Sequence, residues 1–237
     1  MKKILTSILA VVLLCWGAVA QQLLPSSNGE IIKHKYYTLS YSEKDEQAEW
    51  VYYILNPEMV GGTASRKDNF RPDPKVSTGS ATLADYKASG YDRGHLCPAA
   101  SMSINDEAMS ESFYLSNMSP QFPSFNRGGW KRLESNVREW AVSEGEIHVV
   151  TGTILSDPLG VIGENKVTVP RAYFKAIYSP KRSKMVGYIM PNIKIDKPIE
   201  SYAVSVDSIE KVTGIDLFMG LDDELENRLE SCVNSSF

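Results

Sequence analysis

The stretch GYDRGHLCPAA, residues 90–100, holds one of only three histidines in a chain of 237 residues, set between a charged Asp-Arg-Gly run and a Cys-Pro turn. An imidazole that is neutral near pH 7 suits the role of a general base. Two residues earlier, Arg93 offers a planar guanidinium fork that matches the oxygens of a phosphate. Taken singly, neither is diagnostic. A lone histidine is more often a hydrogen-bonded structural residue, and a lone arginine a surface cation.

A second group of polar side chains follows in SNMSPQFPSFNRGGWKRLESNVREWAVSE. From Asn126 onward this segment reads as a helix with Asn126 as its N-cap. Trp130, Leu133, Val137, Trp140 and Ala141 recur at spacings of three and four and form its apolar stripe. Glu134 lies four residues after Trp130 and three before Val137, on or beside the face that should be buried. A carboxylate there is costly unless something pairs with it. Two readings stand: an edge glutamate paired with an arginine or reaching water, or a carboxylate pointing into a metal or water site. Asn126 is compatible with a plain cap or with a place in the same cleft. Asn117, before MSPQ, fits a turn residue.

These residues need a scaffold. YYTLSYS and EWVYYIL read as two strands joined by the polar EKDEQ. EIHVVTGTIL, KVTVPRAYFKAIYS and KMVGYIMPN read as further strands. A short helix is expected where Ser103 and Glu107 open SINDEAMSESFYLSN, and YAVSVDSIEKVTGI and DDELENRLESCV read as helical. The Gly/Pro/Ser-punctuated residues 61–90 read as an extended surface excursion. Short connections between strands favour antiparallel pairing, so the expected class is a mixed α+β domain rather than a parallel, doubly wound one. No dinucleotide or phosphate-loop fingerprint occurs.

Composition sets outer limits. Residues 1–20, MKKILTSILAVVLLCWGAVA, show a basic start, an apolar run and a small-x-small end, the pattern of a cleaved secretory signal. The alternative of lipid attachment at Cys15 is disfavoured by Leu14, where a small residue is preferred. The expectation is a signal peptide at 1–20, one domain at 21–237, export to periplasm or medium, and no membrane attachment after cleavage. Loss of Lys2 and Lys3 takes the net charge from −4 to −6. This excludes a body coated in basic surface, so any polyanion site must be a local basic cleft. Two cysteines would then remain, Cys97 and Cys232; a disulfide between them and two separate thiols are both open.

YDRGHLCPA, FYLSNMSPQ and FNRGGWKRLE, in that order and spacing, together closely resemble the DNA/RNA non-specific endonucleases, a family with a ββα-metal (His-Me finger) motif. The likeness extends from RKDNFRPD through VVTGTIL and VPRAYFKAIY to IEKVTGIDLF. Cys97 departs from it, standing where relatives usually carry a small residue. The resemblance implies a mainly antiparallel sheet core and a metal-dependent endonuclease cutting DNA and RNA through phosphate contacts. It implies His95 as general base, Asn126 as the one direct protein ligand of a divalent cation (Mg²⁺, or Mn²⁺ or another), and Glu134 bound to that cation's water shell. Arg93 would neutralise the scissile phosphate, Asn117 would brace the site, and Arg66 would supply a second phosphate-binding arginine. Two alternatives remain beside it: an exported relative that binds nucleic acid without cutting it, and a phosphodiesterase acting on small nucleotides. Zinc chemistry is disfavoured, because His34, His95 and His148 lack ligand spacing and the cysteines form no CxxC pair.

Overall fold

The computed structural model describes residues 23–237; the expected signal peptide lies outside the described residues. Eleven strands are present among these: β1 (Glu30–Lys33), β2 (Thr38–Ser42), β3 (Gln47–Leu55), β4 (Asp92–His95), β5 (Met118–Gln121), β6 (Ile147–Ile154), β7 (Gly160–Ile162), β8 (Val167–Val169), β9 (Ala172–Ser179), β10 (Lys184–Pro191) and β11 (Ala203–Val204). Seven form one sheet in the order β1-β2-β3-β6-β9-β10-β11, and every neighbouring pair is antiparallel. The α+β class with a mainly antiparallel sheet is therefore the observed one.

Both faces of this sheet are covered, which explains why its central strands read as continuous apolar runs rather than alternating ones. Val51, Tyr53, Tyr173, Ile177 and Tyr188 point to one side, where they meet Trp130, Leu133, Val137 and Ala141. These four belong to helix α2 (Lys131–Glu144) and the turn that leads into it. Trp50, Tyr52, Phe174, Ala176 and Tyr178 point to the other side, against Val206, Ile209 and Leu229 of helices α3 (Val206–Thr213) and α4 (Asp223–Glu230). The functional side chains lie on the α2 side.

Several local expectations change. KVTVPRAYFKAIYS is not one strand: β8 pairs only with β7, and the chain crosses at Pro170 and Arg171 before β9 joins the main sheet. Proline supplies no N–H for a ladder, and the buried Asn192 side chain holds the Pro170 carbonyl at 3.0 Å. The short helix α1 is Asp106–Glu111 with Asn105 as its cap, while Ser103 instead donates to the Met59 and Val60 carbonyls. The excursion at residues 61–90 is pinned to the body, since Asp73 is buried against His34 Nε2 (2.8 Å) and Ser116 Oγ (2.5 Å). Cys97 is buried, Cys232 is exposed, and both are free thiols, so the disulfide is not formed.

Candidate active site

DRGH forms β4 and MSPQ forms β5, paired antiparallel with His95 opposite Met118 and Gly94 opposite Ser119. A Cβ on Gly94 would stand 2.1 Å from the buried Gln121 side chain, so a larger residue here would have to displace it. The chain then enters α2 through a wide turn over Phe125–Trp130, in which Gly128 leaves helical geometry (φ −110°, ψ −106°). Asn126 is therefore not the N-cap of the long helix: it sits inside this turn. Its amide nitrogen donates to Asp92 Oδ2 at 2.9 Å. With the nitrogen committed, its carbonyl oxygen is the atom left to face the cleft.

One cleft of about 430 Å³ is lined by Arg66, Arg93, His95, Asn126 and Glu134, together with Arg127, Lys131 and Arg138. Five of the six site residues expected from sequence are thus brought to one wall-to-wall space. Asn117 is not in it. It is fully buried behind it, accepting from the Cys97 N–H (2.8 Å) and donating to the carbonyls of Cys97 (2.9 Å) and Ser112 (2.8 Å). Its own carbonyl accepts from Leu96 N–H at 3.0 Å. Asn117 therefore ties down the two residues that follow His95.

Two aromatic rings shape the base. Phe70 and Phe113 meet edge to face at 4.9 Å, and the His95 ring lies 5.9 Å from the first and 5.1 Å, edge-on, from the second. Arg93 stacks on Phe70 at 4.3 Å and Arg66 over Phe113 at 5.0 Å. Burial, then the charges of Arg66 and Arg93, push the His95 imidazole down to about 3. His95 Nε2 is buried without a hydrogen-bond partner. The ring is a neutral base throughout the physiological range.

The opposite wall carries the carboxylate. Glu134 shares a face of α2 with Lys131 and Arg138, at positions i−3 and i+4. Burial raises its carboxyl, against the lowering pull of Lys175, Arg138, Arg66 and Lys131. Lys175 is wholly buried in β9, with its Nζ bonded to Thr151 Oγ1 and 4.9 Å from the Trp130 ring centroid. Burial lowers its ammonium while the Glu134 charge raises it, so each charge favours the other's ionised form without a direct ion pair between them. Asp92 completes the frame: burial would raise it, but hydrogen bonds from Arg127 and Asn126 and the charges of Arg127 and Arg93 hold it below the ordinary carboxylate range. Arg127 grips it with Nε at 2.8 Å and Nη2 at 2.6 Å.

Sequence reasoning missed Phe70, Phe113, Arg127, Lys131, Arg138 and Lys175. Lys131, Glu134 and Arg138 were readable as one polar helix edge beside the apolar stripe. Lys175 carried no signal within its apolar strand.

The arrangement is a cationic cleft with a neutral imidazole base and hard oxygen donors, set on a hairpin followed by a helix. The sequence matches the DNA/RNA non-specific endonuclease family over residues 17–224. Human mitochondrial endonuclease G is 34% identical over 216 residues, covering 84% of this chain and 72% of that protein. A Nostoc nuclease is 33% identical over 236 residues, covering 92% and 83%. A crystal structure of the EndoG/EndoGI complex contains a chain that superposes with a TM-score of 0.80 at 30% identity, covering 88% of this chain and 93% of that one. The protein belongs to the DNA/RNA non-specific endonuclease family; its fold is that of EndoG, and the hairpin-helix unit accords with the family's ββα-metal motif. Membership makes it a nuclease with nucleic-acid substrates.

Proposed function

We propose that this chain is an exported, Mg²⁺-dependent endonuclease that hydrolyses phosphodiester bonds of DNA and RNA without sequence preference. The observation that carries this reading is the buried, neutral His95 sharing one cleft with Arg66, Arg93, Asn126 and Glu134. His95 takes a proton from the attacking water, a role worth ~10²–10⁴-fold in rate. Arg93 and Arg66, held by aromatic stacking, pair with the oxygens of the scissile phosphate as negative charge builds on them. Asp92 orients the Asn126 amide so that its oxygen faces inward.

The donor set fits a hard divalent cation, since a carboxamide oxygen and a carboxylate with room for water are what Mg²⁺ prefers. Asn126 would hold it directly and Glu134 through water. When bound, such an ion supplies positive charge for the crowded phosphate and the departing oxygen. The presence of base, arginines and donors in one cleft favours a catalyst over a relative that only binds. Contacts of this kind reach phosphate rather than base edges, so sequence preference is not built in.

The test uses the protein lacking residues 1–20. It should convert supercoiled plasmid to short fragments and also degrade long RNA with Mg²⁺, and stop with EDTA. Full cleavage in EDTA would remove the metal from the reading. Hydrolysis of dinucleotides with intact plasmid would replace it with a small-diester phosphodiesterase.

A further inference from the structure

The far side of the sheet holds a second concentration of charge that the cleavage site does not use. Asp207 and Glu210 stand one turn apart on α3, and Glu230 ends α4. One oxygen from each lies within 4.8 Å of the others. Glu230 is only 6% exposed, and its Oε1 is buried without a hydrogen-bond partner. Glu226, one turn earlier on α4, also buries an unpartnered Oε1. A buried carboxylate oxygen left without a donor is costly.

No basic group relieves this charge. Among the described residues, none of Asp207, Glu210, Asp216, Glu226 and Glu230 joins an ion pair. The strongest influences on Glu230 after burial are the carboxylates of Glu210, Glu226, Asp207 and Asp216, and together they push it up to about 9. Glu210 is pushed up to about 7 by burial and by Asp216, Asp207 and Glu226, even though Leu217 N–H donates to it at 2.8 Å.

We propose that Asp207, Glu210 and Glu230 form a calcium-type cation site that fastens the C-terminal helix α4 to α3. The chemistry of the donors selects the ion. All are carboxylates, with no histidine or thiol, which suits a hard cation. Calcium takes oxygens at about 2.3–2.6 Å, so ligands on opposite sides stand roughly 4.6–5.2 Å apart. Oxygens gathered within 4.8 Å of one another are close enough for one such ion to reach all three; calcium's flexible shell tolerates an irregular carboxylate set, whereas magnesium demands near-ideal octahedral geometry and sheds its waters reluctantly. Asp207 is exposed, leaving one side open to the water that completes such a shell. Of the three ligands Glu230 lies past the last residue of the family match, while Asp207 and Glu210 lie within it; all three are on the sheet face opposite the cleft.

The experiment is thermal unfolding of the protein lacking residues 1–20, in EDTA and in 10 mM CaCl₂. Every sample carries Asn126→Ala, so that the cleft contributes no cation binding of its own. Calcium should raise the midpoint by about 5 °C or more if it stands well above the dissociation constant. Glu230→Gln should abolish the gain and Asp207→Asn, at an exposed position that leaves folding intact, should at least halve it. An equal gain in all three proteins, or none in the parent at 10 mM, overturns the site. A parent that instead gains stability only on acidification shows carboxyls sharing protons, which also overturns it.

Discussion

What surrounds the His95 ring, rather than the imidazole alone, suits it to the proposed role of base. Phe70 and Phe113 remove water from it, and Arg66 and Arg93 oppose a second positive charge beside them. Its pKa in the free protein is depressed to about 3 against an ordinary 6.5. The neutral form is thus present at all pH values above that range and is lost only as pH falls through it. A proton-NMR titration should show one imidazole, absent in His95→Ala, that stays neutral down to pH 5. A midpoint near 6.5 for that resonance would contradict the burial of the ring. The same shift has a cost for folding: between pH 6.5 and 3 the unfolded chain binds the proton and the folded one does not, so this group's share of stability is lost as pH falls below 6.5.

The hairpin β4–β5 and helix α2 are the elements that convert these residues into a site. Asn117 locks the hairpin's exit with three side-chain hydrogen bonds, all in the interior. Asn117→Ala leaves the Cys97 N–H and two carbonyls without partners, a loss of about 3 kcal/mol. For a chain of this size that lowers the melting midpoint by about 6–12 °C, and cleavage should fall as well because Leu96 and Cys97 no longer fix the base. A midpoint within 2 °C of the parent would show that the bonds are not worth what their burial implies. The apolar stripe of α2 and the misfit of Glu134 on it were legible from spacing alone. The entry to the helix was not: a wide turn with a non-helical Gly128 replaces a simple cap, because the Asn126 nitrogen is used to reach Asp92, 34 residues earlier. Strand pairing across such distances leaves no periodic trace, and neither does the Phe70–Phe113 pair that houses His95.

At the scale of the molecule, an acidic chain presents a cleft lined by Arg66, Arg93, Arg127, Lys131 and Arg138 against a single carboxylate. The net charge of −4 made a local cleft the only place for a polyanion, and that much was legible in composition. Which cations converge was not, since they come from three separate segments. Binding to a polyanion through such a cleft releases counterions. With about four phosphates engaged, affinity of the His95→Ala protein for duplex DNA should fall about 10²-fold between 50 and 200 mM salt. Fluorescence anisotropy measures it, and a flat salt dependence would show that the acidic body, not the cleft, governs the encounter.

The proposed role of His95 is to activate the water that cuts the backbone. The most direct measurement is the single-turnover rate of plasmid cleavage by His95→Ala at saturating Mg²⁺, beside the parent protein. The geometry predicts a loss of ~10²–10⁴-fold with DNA binding retained. A His95→Ala protein that cleaves at the parent rate would contradict it.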